Sequence, residues 1–263
     1  MAFRLECVSN LYKNLGRFDA IVEFTELAVV NFIKQAESSG DFSKFIEQQS
    51  DSLHIKVNSV DESIYRSRIS QSYILSVYQN AELFLHKFKE ECNNLKNTDW
   101  KLDNSSDNLL VKTIRKIIPI NQGKERIGEF RLEIFDYYRV IRNKYSHEII
   151  QDTKVEKAYI NIKKYEDEIK ENYPKFSAPN EFDNICFDDF LLFSTVLKDI
   201  ANTLSDIIKP TNEELKNYYL RNDFYKELNQ NLERKENALV GHITSKFGIE
   251  KEEAKKIISS LRH

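Results

Sequence analysis

Turn-forming residues are scarce in this 263-residue chain, which has six glycines and four prolines. A β-sandwich or barrel needs a tight turn at roughly every 8–12 residues, so an all-β fold is excluded. Cysteine is equally thin. Cys7, Cys92 and Cys186 stand alone with no Cys-x-x-Cys pair, which argues against a zinc ribbon or a disulfide framework and for a reducing, cytoplasmic setting. Asp188-Asp189 has no His or Cys at ligand spacing and reads as a helix N-cap rather than a metal site. No apolar run approaches the ~20 residues of a membrane span, and the opening MAFRLECVSN lacks the apolar stretch of a secretion signal. The expectation is a protein with no metal, no cofactor and no membrane contact.

Lys, Glu, Asn, Ile, Leu and Tyr fill the chain instead, a composition suited to long helices with charged surfaces. A first helix is expected over 17–38, with Phe18, Ile21, Val22, Phe24, Leu27, Val30 and Ile33 on its apolar side. A short one follows over 41–50. A long helix is expected to begin at the Ser59-Val60-Asp61-Glu62 capping box and run through Ile64, Tyr73, Val77, Ala81, Phe84, Phe88, Cys92 and Leu95. After a polar loop over 93–106 come a helix over 107–118, ended by Pro119, and another from Lys124 to Ile150. Residues 152–172 read as a charged helix, 173–186 as an irregular connection and 188–209 as an apolar helix. Thr211-Asn212-Glu213-Glu214 is a second capping box, opening a helix over 212–233, and two short helices flank Phe247-Gly248-Ile249.

The net charge of −3 does not mark a nucleic-acid binder, but its distribution is uneven. Val111 to His147 holds nine Lys/Arg against four Asp/Glu, and the remainder carries a charge of −8. Such an island suits either an RNA-backbone site or a solvated helix face. Inside it lies Arg142-Asn143-Lys144-Tyr145-Ser146-His147. Placed on a helix at 100° steps, Ile127, Phe130, Ile134, Tyr137, Tyr138, Ile141, Tyr145 and Ile149 form one face, which is expected to be core. Asp136, Arg139, Arg142, Asn143, Ser146 and His147 share an arc on the other side and are expected to face outwards. An exposed site of this kind needs a cover, and a second copy of the chain is the obvious one.

The side chains suggest a reaction. RNA can be cut by its own 2′-hydroxyl, given proton transfer at the attacking and leaving oxygens and stabilisation of charge on the phosphorane. His147 can move a proton, Arg142 can clamp phosphate oxygens with its forked donors, and Asn143 can orient either. Asp136, Arg139 and Ser146 would support them, while Lys112, Arg115, Lys116 and Lys144 would hold the RNA backbone.

The run Tyr137–His147, with Arg-Asn-x-x-x-His at its end, resembles the active-site helix of the HEPN superfamily. Asp136, six residues before Arg142, matches the acid at that spacing in the ribonuclease-L-like branch. The resemblance covers roughly Ser59 to Lys209. It implies an all-α, up-and-down HEPN-like bundle over 58–210, flanked by an N-terminal helical extension (1–57) and a small helix-turn-helix-like tail (211–263). It also implies a metal-independent endoribonuclease that leaves 2′,3′-cyclic phosphate and 5′-hydroxyl ends. Its site would be shared across a homodimer, and it would serve as a toxin or antiphage effector under an antitoxin or sensor protein. Ile149 stands where relatives silenced by AMP transfer carry a tyrosine, so that route of control is not expected. The alternatives are a catalytically silent helical module that binds RNA or protein, and a DNA-binding regulator acting through the tail.

Overall fold

The computed structural model describes residues 3–58, 64–147, 151–221 and 232–259. Every regular element among them is helical: α1 (Glu6–Ser38), α2 (Phe42–Leu53), α3 (Tyr65–Lys96), α4 (Leu109–Ile117), α5 (Ile120–Ile127), α6 (Glu129–His147), α7 (Asp152–Lys163), α8 (Glu166–Asn172), α9 (Phe187–Ile207), α10 (Asn212–Arg221), α11 (Leu232–Phe247) and α12 (Lys251–Ser259), with one 3-10 turn at Phe182–Asn184. None is long and apolar enough to cross a membrane. The all-α expectation holds.

Local chemistry explains several helix ends. Asp41 caps α2 by accepting from Lys44 N at 3.0 Å, and His54, in the left-handed region at φ 55°, closes it. Asn108 caps α4 in the same way, from Val111 N at 3.0 Å. The box at α10 forms in both directions: Thr211 N donates to Glu214 Oε2 at 2.8 Å, and Glu214 N donates to Thr211 Oγ1 at 3.2 Å. The box expected at Ser59 lies outside the described residues.

Several boundaries differ from expectation, mostly for identifiable reasons. Helix α1 starts at Glu6 rather than 17, because the Glu91 carboxylate accepts from the N–H groups of Glu6 and Cys7 at 3.0 and 2.9 Å. That cap comes from a residue 85 positions away, so local sequence cannot announce it. The helix expected over 124–150 is two, α5 and α6, divided at Gly128 with φ 92°. The charged helix over 152–172 is also two, α7 and α8; no glycine or proline marks the division.

The chain forms two compact units, each built from separate stretches. The first comprises Met1–Lys13, Gln79–Asp136 and Thr195–His263. Its N-terminal strand of chain is anchored: Phe3 stacks on Phe247, Arg4 N donates to Phe247 O at 2.9 Å, and Leu5 N donates to Ser205 Oγ at 3.2 Å. Within it α12 packs on α10 and α11, with Leu239, Ile243, Phe247, Ala254, Ile257 and Ile258 buried. The second unit comprises Asn14–Tyr78 and Tyr137–Ser194. Phe190 is its aromatic centre, edge-on to Phe18 and Tyr73 at 5.8 and 5.9 Å.

The apolar side expected for α1 is only partly core. Val22 and Ile33 are buried, whereas Ile21, Phe24 and Leu27 are 64%, 74% and 72% exposed. On α3 the expected core positions from Tyr73 to Leu95 are buried, but Ile64, just before the helix, is exposed.

Candidate functional site

The motif helix α6 starts from the Gly128 break, where Gly128 N still closes α5 on Lys124 O at 2.9 Å. Phe130, Ile134, Tyr137, Tyr138 and Ile141 are buried as expected. So are Leu132 and Phe135, which lie on the arc expected to face outwards. The apolar face of α6 is therefore wider than a single stripe, and Tyr145 at its end is only half-buried. Ile149 lies outside the described residues.

This wider face changes the setting of Arg142. Its guanidinium lies over the ring of Tyr78, on α3, with Cζ 4.9 Å from the ring centroid. Tyr78 is buried at 4% exposure, so Arg142 turns back onto the second unit instead of outwards. Its Nη1 donates to Asn143 Oδ1 at 2.8 Å, and both residues are half-buried. Ser146 and His147 are exposed, as expected. His147 follows Asn143 by one helical turn, about 6 Å along the axis, on the same side of α6. The end of α6 presents carbonyls, which repel an anion, so a phosphate there would be held by side chains and not by the helix dipole.

The supporting residues have separate settings. Lys144 Nζ pairs with Asp152 Oδ1 of α7 at 2.8 Å, with its own side chain 20% exposed. Arg139 is half-buried. Asp136 belongs to the first unit, where its Oδ1 accepts from the Asn108 amide at 2.8 Å and is thereby tied to the start of α4. It sits about 9 Å along α6 from Arg142. Lys112, Arg115 and Lys116 are also in the first unit, on α4, with Arg115 in an ion pair with Asp107. The second unit thus gathers Arg139, Arg142, Asn143, Lys144, Ser146 and His147 alone.

A buried polar network holds α6 one turn before the motif. Tyr138 Oη donates to Asp189 Oδ1 at 2.9 Å, and Tyr137 Oη donates to the Asn180 carbonyl. Asp189, fully buried, also accepts from Asn180 N and Nδ2 and from Cys186 N, each at 2.9 Å. The Cys186 bond makes Asp189 the third-position partner of a capping box on α9, three positions further in than the N-cap expected for it. Asp188 accepts from Ser177 N at 2.8 Å. Burial raises the Asp189 pKa above the ordinary carboxylate value, against the pull of its hydrogen bonds. Periodicity alone marks Tyr137 and Tyr138 only as core; the sequence signal for this network is tyrosine in place of phenylalanine at two buried positions.

Elsewhere in the second unit a cavity of about 330 Å³ is lined by Glu26, Arg66, Ser67, Ser70, Asp183 and Cys186, among others. Burial raises the Glu26 pKa and Arg66 opposes the shift. No group of three or more His, Cys, Asp or Glu able to hold a metal occurs among the described residues. No protein-family model, curated protein or solved structure matches this chain.

Proposed function

We propose that this chain is a metal-independent endoribonuclease of the HEPN type, with Arg142, Asn143 and His147 as its catalytic residues. The observation that carries the reading is the geometry of Arg142. Its guanidinium is laid on Tyr78 and bonded to Asn143, about one turn from an exposed imidazole. A planar fork pre-ordered on a ring loses little entropy when it takes a bidentate phosphate.

In the proposed reaction the 2′-oxygen attacks the adjacent phosphorus and the bond to the 5′-oxygen breaks. The products are a 2′,3′-cyclic phosphate and a 5′-hydroxyl end. One group must accept the 2′-proton and another must protonate the 5′-oxygen. His147 supplies one of these in each chain, and a second copy supplies the other. Arg142 offsets the charge on the phosphorane oxygens. Such an activity suits a growth-arresting or antiphage effector held in check by an antitoxin or sensor protein.

The test is direct. The purified chain is incubated with total RNA in excess EDTA and the product ends are identified. Cleavage to cyclic phosphate and 5′-hydroxyl ends by the wild type, lost in His147→Ala, is expected. Undiminished cleavage by the His147→Ala protein would overturn the assignment.

A further inference from the structure

The cavity of the second unit is walled by Glu26 and Val29 of α1, Arg66 and Ser70 of α3, and Ile185 and Phe187 at the entry to α9. No residue of the motif helix α6 lines it. At about 330 Å³ it falls within the ~300–1,000 Å³ range of small-molecule sites.

Two features of its wall are incomplete. Tyr73 follows Ser70 by three residues, on the face of α3 that borders the cavity. It is 6% exposed, and its hydroxyl finds no hydrogen-bond partner among the described residues. The charge of Glu26 acts on this hydroxyl, which places it beside the cavity's carboxylate. A buried hydroxyl with no partner is costly and calls for a group to fill its bond. The second feature is a pair of separated charges. Burial raises the Glu26 pKa and Arg66 opposes this through its charge alone, with no hydrogen bond between the two. Opposite charges thus stand apart in one cavity, whose apolar wall is Val29, Ile69, Ile185 and Phe187. Asp183, at the same cavity, is exposed and keeps its own hydration.

We propose that this cavity binds a free α-amino acid with an apolar side chain. Arg66 takes the carboxylate through its forked donors, in the first turn of α3, where the helix end also favours an anion. Glu26 takes the ammonium group, and Tyr73 Oη accepts a further ammonium proton. The apolar wall covers the side chain. A ligand with one charge leaves either Arg66 or Glu26 without its partner, so the site selects a zwitterion over an amine or an acid alone.

The test is isothermal titration calorimetry on the full chain with L-leucine, L-methionine and L-phenylalanine. It reads binding and no RNA chemistry, so its failure is separate from any failure of the ribonuclease reading. At least one of the three is expected to bind with a dissociation constant below about 1 mM. The amine and the carboxylic acid that match it, each lacking one charged group, are expected to bind at least about tenfold more weakly. Tyr73→Phe keeps the ring and removes only the unpartnered hydroxyl, so the melting temperature should not fall while affinity drops by about tenfold. Glu26→Gln and Arg66→Gln should each weaken binding by at least as much. Absence of binding by all three amino acids overturns the proposal. So does equal binding of the amine or the acid, or an affinity unchanged in Tyr73→Phe, Glu26→Gln or Arg66→Gln.

Discussion

Arg142 of α6 and Tyr78 of α3 form a cation–π pair, the guanidinium carbon 4.9 Å from the ring centroid. This contact fixes the plane of the fork as well as its position. A lysine there keeps the charge but loses the plane and the paired donors. Arg142→Lys is therefore expected to lower kcat by about 10²-fold or more, as loss of a charge-stabilising donor does elsewhere. Tyr78→Phe keeps the ring and is expected to retain most activity, whereas Tyr78→Leu loses it. Single-turnover kinetics on a short RNA check the series. If Tyr78→Leu lowers stability but leaves kcat untouched, the ring does not position Arg142.

His147 and Arg142 differ in what they contribute to the fold. His147 is exposed at the end of α6, so its removal leaves no cavity and no buried group without a partner. His147→Ala is expected to cost about 10²–10⁴-fold in cleavage. The accompanying change in unfolding free energy is expected to stay within about 0.5 kcal/mol. Urea denaturation of the same preparation used for the RNA assay checks the separation.

The sequence made some of this fold legible and hid the rest for physical reasons. The Thr211–Glu214 box was readable because both partners lie within four residues, and the α3 core from Tyr73 to Leu95 because the face that its periodicity marks is a packed one. The start of α1 was hidden because its cap, Glu91, comes from another helix. Periodicity says which residues share a face but not whether anything packs there, so Phe24 and Leu27 read as core and are exposed. Arg142 failed in the opposite sense. A charged residue on the polar arc reads as solvated, yet a long side chain can lie on an aromatic ring that only the tertiary fold supplies.

Gly128, between α5 and α6, combines a φ of 92° with close quarters. An added Cβ would sit 2.8 Å from Phe130 Cε1 and 3.2 Å from Arg131 Nη1. Gly128→Ala is thus expected to destabilise the chain by about 1–3 kcal/mol, through backbone strain and crowding together. The motif helix follows this break, so cleavage should fall along with stability. Chemical denaturation against wild type checks it, and an unchanged midpoint would show that the α5–α6 junction relaxes without cost.

Asp189 makes the sharpest pH-dependent prediction. Its two oxygens receive four donors, from Tyr138, Cys186 and the backbone and side chain of Asn180. Asp189→Asn replaces one acceptor with an amide N–H₂ that must face a donor, so a loss of about 1–3 kcal/mol is expected for buried polar groups left unmatched. Burial also raises the folded-state pKa of Asp189 above its unfolded value of 3.8. The folded state then holds this proton more tightly than the unfolded chain does. The resulting stabilisation is fully present below about pH 3.8 and is lost as pH rises through the raised folded value. The variant lacks this titration. The stability gap between wild type and Asp189→Asn should accordingly be widest in acid and narrow to a plateau towards neutral pH. Urea denaturation of both proteins across the acid range where they stay folded reads the gap. A gap that widens as pH rises would mean that the hydrogen bonds outweigh burial and hold Asp189 below the ordinary carboxylate pKa.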